Sequence, residues 1–177
     1  YTFELKGGTS LSKGYRLIER FSEDIDIHIT PPAKFKINEN PKNIKPANIA
    51  ARKSFYDWLA TNIKIEGITA IERDTAFDEK DYYRSGGIRL LFTTAFAKIE
   101  GVKEGILLEA GFDTIKPNQK ITISSWAFDR ALATKGLTII DNRAVDITCY
   151  DPGYTFVEKL QAIATRYRKE MESQVAG

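Results

Sequence analysis

The sequence predicts an α+β fold, a mixed or antiparallel sheet flanked by helices, and three observations carry that expectation. Residues 24–29 read DIDIHI, a strict apolar–polar alternation of the kind that marks a half-buried strand. Apolar, β-branched runs recur between residues 67 and 126, with turn residues between several of them, as in a sheet built largely of neighbouring hairpins. Two helical stretches, 47–62 and 155–172, bracket those runs. With 177 residues the chain is about one domain and long enough to bury a real core. Its 42% hydrophobic and 28% charged residues are those of an ordinary globular protein.

Each element follows in order. Residues 2–6 (TFELK) read as a short strand, broken by Gly7-Gly8, after which Thr9 or Ser10 can cap a helix. Leu11, Tyr15, Leu17, Ile18 and Phe21 recur at roughly helical spacing, weakened by Gly14. The strand 24–29 places Ile25, Ile27 and Ile29 on one face and Asp24, Asp26 and His28 on the other. Residues 31–46, rich in Pro, Asn and Lys, read as a loop, and 47–62 as a helix. Strands are expected at 67–72, 88–96, 105–113, 120–126 and 144–149, with a short helix at 127–135. In the last helix Phe156, Leu160, Ile163 and Ala164 form a stripe expected to bury against the core.

Composition excludes several classes of function. No apolar run approaches the ~20 residues of a membrane span, so no membrane partner is expected. Cys149 is the only cysteine and His28 the only histidine. No internal disulfide can form, a cytoplasmic setting fits, and cysteine/histidine zinc sites are removed. Histidine-based acid–base catalysis is disfavoured for the same reason, and any metal should be a hard one on carboxylates. A net charge of +2 is too small to argue for a nucleic-acid partner by itself.

The chemistry concentrates in LKGGTSLSKGYRLIERFSEDIDIHI, residues 5–29. Asp24 and Asp26, at positions i and i+2 of a strand, point the same way with Cα atoms ~6.5–7 Å apart. Carboxylates so placed repel each other unless cations lie between them. A pair of Mg²⁺ ions ~3.5–4 Å apart is the natural neutraliser and also serves phosphoryl-type transfer. Gly7-Gly8 lets backbone approach a phosphate, a helix starting near Thr9 would aim free N–H groups at it, and Thr9 and Ser10 would add hydroxyl donors. The order Gly8…Lys13-Gly14 does not fit a Walker loop.

A double glycine, a helix and then Asp-x-Asp on a strand resemble the first motif of the DNA-polymerase-β-like nucleotidyltransferase superfamily. The finer wording, LKGGTSL…RFSEDIDI, is similar to the AbiEii/AbiGii family of toxin nucleotidyltransferases, and TFVEKLQAIATR (155–166) resembles that family's later Glu-Lys-Leu helix. The resemblance implies that Gly7, Gly8 and Thr9 grip phosphate, that Asp24 and Asp26 bind Mg²⁺ or Mn²⁺, and that Lys159 contacts the nucleotide. Arg20 and Ser22 occupy the family's Arg-x-Ser position and join Ser10 among the implied nucleotide-binding residues. The superfamily's third metal-binding carboxylate lies on a neighbouring strand; Glu109 is the first candidate and Asp113 the second. The implied reaction passes a nucleoside monophosphate from an NTP to an acceptor hydroxyl, with RNA, tRNA in particular, as an acceptor class and growth arrest as the outcome. A cognate antitoxin is the implied partner, in a toxin–antitoxin or abortive-infection system. The Gly8-to-Asp24 interval is slightly long, which predicts an extra half turn in the intervening helix. The chain stops at RKEMESQVAG, ahead of a further family motif that ends in a functional Asp. The expectation is therefore a single nucleotidyltransferase domain over 1–177, with a C-terminal helical region in the full-length protein.

Blander readings stand beside these. Lys159 on an amphipathic helix is ordinarily a solvated position, and Glu109 can be an exposed strand residue. His28 is expected at a non-catalytic rim of the site, and Cys149 as a small buried residue. Lys34, Lys36, Lys42, Lys45, Arg52 and Lys53 either grip RNA phosphates or belong to a solvated loop. The rival functions are a small-molecule nucleotidyltransferase of the antibiotic-modifying kind, a non-catalytic nucleotide- or partner-binding module, and an α+β domain whose acidic pair is accidental.

Overall fold

The protein is described from a computed structural model covering residues 2–20, 22, 24–95, 97, 100–101, 103–112 and 116–175. Among these residues a single seven-stranded sheet forms the centre of the molecule. Its strands are β1 (Phe3–Lys6), β2 (Asp24–Ile29), β3 (Ala70–Arg73), β4 (Ser85–Leu91), β5 (Ile106–Gly111), β6 (Asn118–Ile123) and β7 (Ala144–Tyr150). They lie in the order β3-β4-β5-β2-β1-β7-β6. The sheet is mixed: β2 runs parallel to β5 and β1 parallel to β7, while β1–β2, β3–β4, β4–β5 and β6–β7 are antiparallel. The two strands carrying most of the polar alternation, β1 and β2, sit centrally.

Four helices accompany the sheet: α1 (Gly7–Thr9), α2 (Pro46–Asn62), α3 (Trp126–Leu132) and α4 (Pro152–Val175). Helix α2 begins at a proline, whose fixed φ and missing N–H suit the first helical turn. It buries Asn48, Arg52, Phe55, Tyr56, Leu59 and Ala60, a stripe at helical spacing, against the sheet. Phe55 and Tyr56 meet Phe112 with ring centroids 5.6 and 5.3 Å apart. Leu5, Ile27, Ile88, Leu108, Ala110 and Cys149 complete this core. Tyr56 lies so close over β4 that a Cβ on Gly86 would fall 2.6 Å from its Cγ, which explains a Gly-Gly pair inside a strand. That pair also hid the start of β4 from the sequence reading, which began it at residue 88.

Four expectations are corrected. The helical spacing read from Leu11 to Phe21 does not give an α-helix over residues 11–20, and Phe21 lies outside the described residues. After α1 the chain forms one wide π-type turn (Ser10–Gly14), closed by Tyr15 N–H donating to Ser10 O at 2.9 Å, and residues 16–20 carry no regular structure. The extra length before Asp24 is thus taken up by this turn and an irregular segment. Arg16 adopts φ +54°, which a continuing right-handed helix does not allow. Arg52 is fully buried rather than set to grip RNA: it donates to the carbonyls of Asn38, Asn40 and Tyr82 and so pins the 31–46 loop to α2. Lys34 of that loop stacks over Trp58, 4.1 Å from the ring centroid. His28 is not at a rim but 2% exposed. Its Nδ1 bonds to Glu4 and its Nε2 lies 3.0 Å from Glu39 Oε2.

The fourth correction concerns α4. The stripe predicted to be buried is exposed, Phe156 at 58%, Leu160 at 49% and Ile163 at 65%. The core face of the sheet is already covered by α2, so α4 docks elsewhere. Its principal contact is with the Ser10–Gly14 turn, and Thr155 in its first turn is buried. Cys149 is buried as expected, and burial pushes its thiol up to about 11.

Candidate active site

The strand register assembles the acidic residues. Asp26 on β2 stands opposite Glu109 on β5, and on its other side opposite Lys6 on β1. Residues paired across a ladder point to the same face, and so do residues two apart on one strand. Asp24, Asp26 and Glu109 therefore share the face opposite Leu5 and Ile27. The pairing of Glu109 beside DIDIHI is the one proposed from the sequence; Asp113, the second candidate, lies outside the described residues.

Asp26 shows what this grouping costs electrostatically. Its carboxyl is pushed up from the ordinary 3.8 to about 6, first by burial and then by the negative charges of Asp24 and Glu109. Two cations oppose the rise, Lys159 and Lys6. Lys159 itself is exposed, and its charge acts on Asp26 in the direction that favours the carboxylate.

The double glycine has a specific structural cause. Gly7 adopts φ +70°, and a Cβ built on it would fall 1.9 Å from Asp26 Oδ2 and 2.7 Å from its Cγ. Only a residue without a side chain lets the Asp26 carboxylate lie against this backbone. At Gly8 a Cβ would fall 2.6 Å from an Arg20 guanidinium nitrogen. The space expected for a phosphate is thus bordered by two side chains of the site itself.

The hydroxyls between these groups also act differently from the expectation. Thr9 Oγ1 donates to Asp24 O at 2.5 Å, and Ser10 Oγ, fully buried, donates to Gly7 O at 2.8 Å. Both brace the turn instead of pointing toward a ligand. Ser22 Oγ donates to Asp24 Oδ1 at 2.6 Å and fixes that carboxylate. With α1 only three residues long, the helix-dipole argument for phosphate binding loses most of its force.

The donor set has the chemistry of a hard divalent cation site: carboxylate oxygens alone, on one face, with the ionisation of Asp26 opposed by its two acidic neighbours. Among the described residues no group of three or more His, Cys, Asp or Glu side chains is gathered closely enough to hold a metal. A cation would have to draw these carboxylates inward. Two open surface grooves, of about 670 Å³ beside Ile63, Ile68 and Ile71 and about 690 Å³ along α4 beside Gln161 and Thr165, include none of these carboxylates.

The sequence reading missed Lys6. The signal was present, since alternation in TFELK puts Glu4 and Lys6 on one face, but only the β1–β2 register shows that this face is that of the aspartates.

Among the described residues no helix is long and apolar enough to cross a membrane. No curated protein and no solved structure matches the chain. A family model described as "Nucleotidyl transferase AbiEii toxin, Type IV TA system" matches residues 1–173. The mixed seven-stranded sheet with its helices is consistent with a nucleotidyltransferase fold of that family. By a match that spans nearly its whole length, the chain belongs to the AbiEii family of nucleotidyl transferase toxins of type IV toxin–antitoxin systems.

Proposed function

We propose that this protein transfers a nucleoside monophosphate from an NTP to a hydroxyl of an RNA acceptor, with Asp24, Asp26 and Glu109 as metal ligands. The observation that carries the reading is the register Asp26–Glu109, which sets the two acids side by side within a family of nucleotidyl transferases. Mg²⁺ or Mn²⁺ held there would activate the acceptor hydroxyl and offset negative charge on the triphosphate. The chain's own residues do the positioning. Ser22 and Thr9 hold Asp24, through its carboxylate and its carbonyl respectively. Gly7 admits the Asp26 carboxylate to the backbone of the turn. Lys159, reaching the same face from α4, supplies a cation to the phosphates, and Arg20 over Gly8 a second. Most of the catalysis in such a site is orientation and electrostatics.

Residues 1–177 are read as one nucleotidyltransferase domain, the family match spanning residues 1–173. The family supports reading the protein as a toxin that acts in the cytoplasm beside a cognate antitoxin. The experiment is incubation of the full-length protein with total RNA, Mg²⁺ and each labelled NTP in turn, beside an Asp26→Asn control. Label in RNA that depends on Asp26 and Mg²⁺ supports the reading. Label confined to small molecules favours the small-molecule transferase, and no Asp26-dependent label with any NTP overturns transfer.

A further inference from the structure

We propose that Lys6 is the site's own counter-cation, an ammonium on the face of the carboxylates that is displaced when the divalent ion binds. The inference rests on the metal reading of Asp24, Asp26 and Glu109 and deepens it.

Lys6 is the last residue of β1 and stands opposite Asp26, which in turn stands opposite Glu109. Three strands thus place Lys6, Asp26 and Glu109 in one row on one face. The lysine does not lean away into solvent: it is half-buried, and its Nζ lies 3.7 Å from where a Cβ on Gly111 would be. Gly111 belongs to β5, two residues beyond Glu109 and on the same face, so the side chain crosses the whole width of β2 to reach there. The buried glycine leaves room for the ammonium over the strand. The Lys6 charge also acts on Asp26 in the direction that favours the carboxylate.

A fixed ammonium beside a cation site has a definite consequence. It holds buried like charges together in the cation-free protein, and it repels the incoming ion. For a divalent ion at ~7 Å from one positive charge, an effective dielectric constant of about 20 makes the opposition large enough to change affinity by a factor of ten or more. Lys6 would therefore lower metal affinity in the resting protein, so that the cation arrives best together with an anionic triphosphate that meets the displaced ammonium. Lys159 differs in coming from an exposed helix outside the sheet, where its removal leaves the row of strands intact.

The test is Mn²⁺ binding to the full chain without nucleotide, measured by calorimetry and by the paramagnetic resonance of free Mn²⁺. Lys6→Met should bind Mn²⁺ at least ten-fold tighter than wild type, and Lys6→Arg about as wild type does. Equal or weaker binding by Lys6→Met, with clear binding by wild type, overturns the role of Lys6 and leaves the metal reading standing. No Mn²⁺ binding by either protein overturns the metal reading and this proposal with it. A second measurement keeps the proposal testable if Lys6→Met fails to fold. In wild type, reductive methylation of Lys6, followed by mass spectrometry, should speed up several-fold on adding Mn²⁺, and an unchanged rate overturns the displacement.

Discussion

Replacing Asp26 with Asn should make the cation-free protein more stable while abolishing transfer. The rise of the Asp26 carboxyl from 3.8 to about 6, at about 1.4 kcal/mol per pH unit, corresponds to an upper bound of about 3 kcal/mol. Asp26 is only half-buried, so water and salt screen part of this, and about 1–2 kcal/mol is the expected effect. The sign follows from linkage: a carboxyl whose folded pKa is raised loses stability as pH climbs through that value. Below about pH 3 the acid is neutral in both states, and by pH 4 the variant has only a small part of its advantage over wild type. Above about pH 6.5 the folded wild type carries a charge it would hold more easily unfolded, and Asp26→Asn gains its full benefit. The assay is a pair of thermal melts in EDTA, wild type against variant, from pH 4 to pH 8. A chain of this size shifts by about 2–4 °C per kcal/mol, so the variant should melt about 2–8 °C higher at pH 8, with the difference shrinking to about 1 °C or less by pH 4. Adding Mg²⁺ or Mn²⁺ should raise the wild-type melt and leave the variant unmoved. A variant that is less stable at pH 8, or whose difference from wild type does not change with pH, would refute the claim that the acidic cluster strains the free protein.

Four further outcomes follow from the same geometry. Gly7→Ala should cost about 2–4 kcal/mol in denaturant unfolding, because φ +70° disfavours a side chain and the new Cβ collides with the Asp26 carboxylate near its root. Gly8→Ala meets only the tip of the flexible Arg20 side chain, so its melt should stay within about 1 kcal/mol of wild type. Glu109→Gln should keep the fold and lose transfer activity by at least about a hundred-fold, read by label incorporation into RNA; full activity would remove Glu109 from the metal site. Lys159→Ala should weaken NTP binding in a nucleotide titration while shifting stability by less than about 0.5 kcal/mol, since the residue is exposed.

The legible parts of the fold were those fixed by local period. DIDIHI could only be a strand, because the hydrophobic set repeats every two residues over its whole length, and β2 covers those six residues. The helix expected at 47–62 is α2, to which the structure adds only Pro46, the end of the expected loop, as its first residue. The errors fell where a tertiary contact overrode the local pattern. A helical spacing over 11–21 failed because Ser10, Thr9 and Gly7 bond inward to brace the site, pulling the chain into a wide turn. The stripe on α4 failed because period reveals that a face is apolar and not what covers it: α2 had already filled the sheet's core face.

The site divides along the same line. Asp24 and Asp26 could be grouped from sequence alone, since two residues on one strand fix their own relation. Glu109 could only be nominated, because about 80 residues of chain separate it from β2 and nothing local sets the parallel register that brings Asp26 opposite it. Lys6 was overlooked although it is adjacent to the motif, for the opposite reason. Its nearness in sequence to Gly7 suggested a strand end, whereas its chemistry depends on a side chain that crosses β2 to β5. The double glycine was rightly tied to close approach and assigned to an outside phosphate. Its nearest occupants are the Asp26 carboxylate and the Arg20 guanidinium, an anion and a cation held on adjacent glycines of one turn. A triphosphate entering the face would meet Arg20, Lys6 and Lys159 from three separate segments of the chain. Charge of both signs is therefore placed before any ligand arrives, and each lysine or arginine can be removed without touching a carboxylate. The two halves are nonetheless coupled, because Lys6 and Lys159 act on Asp26, so a double-mutant cycle is what separates them.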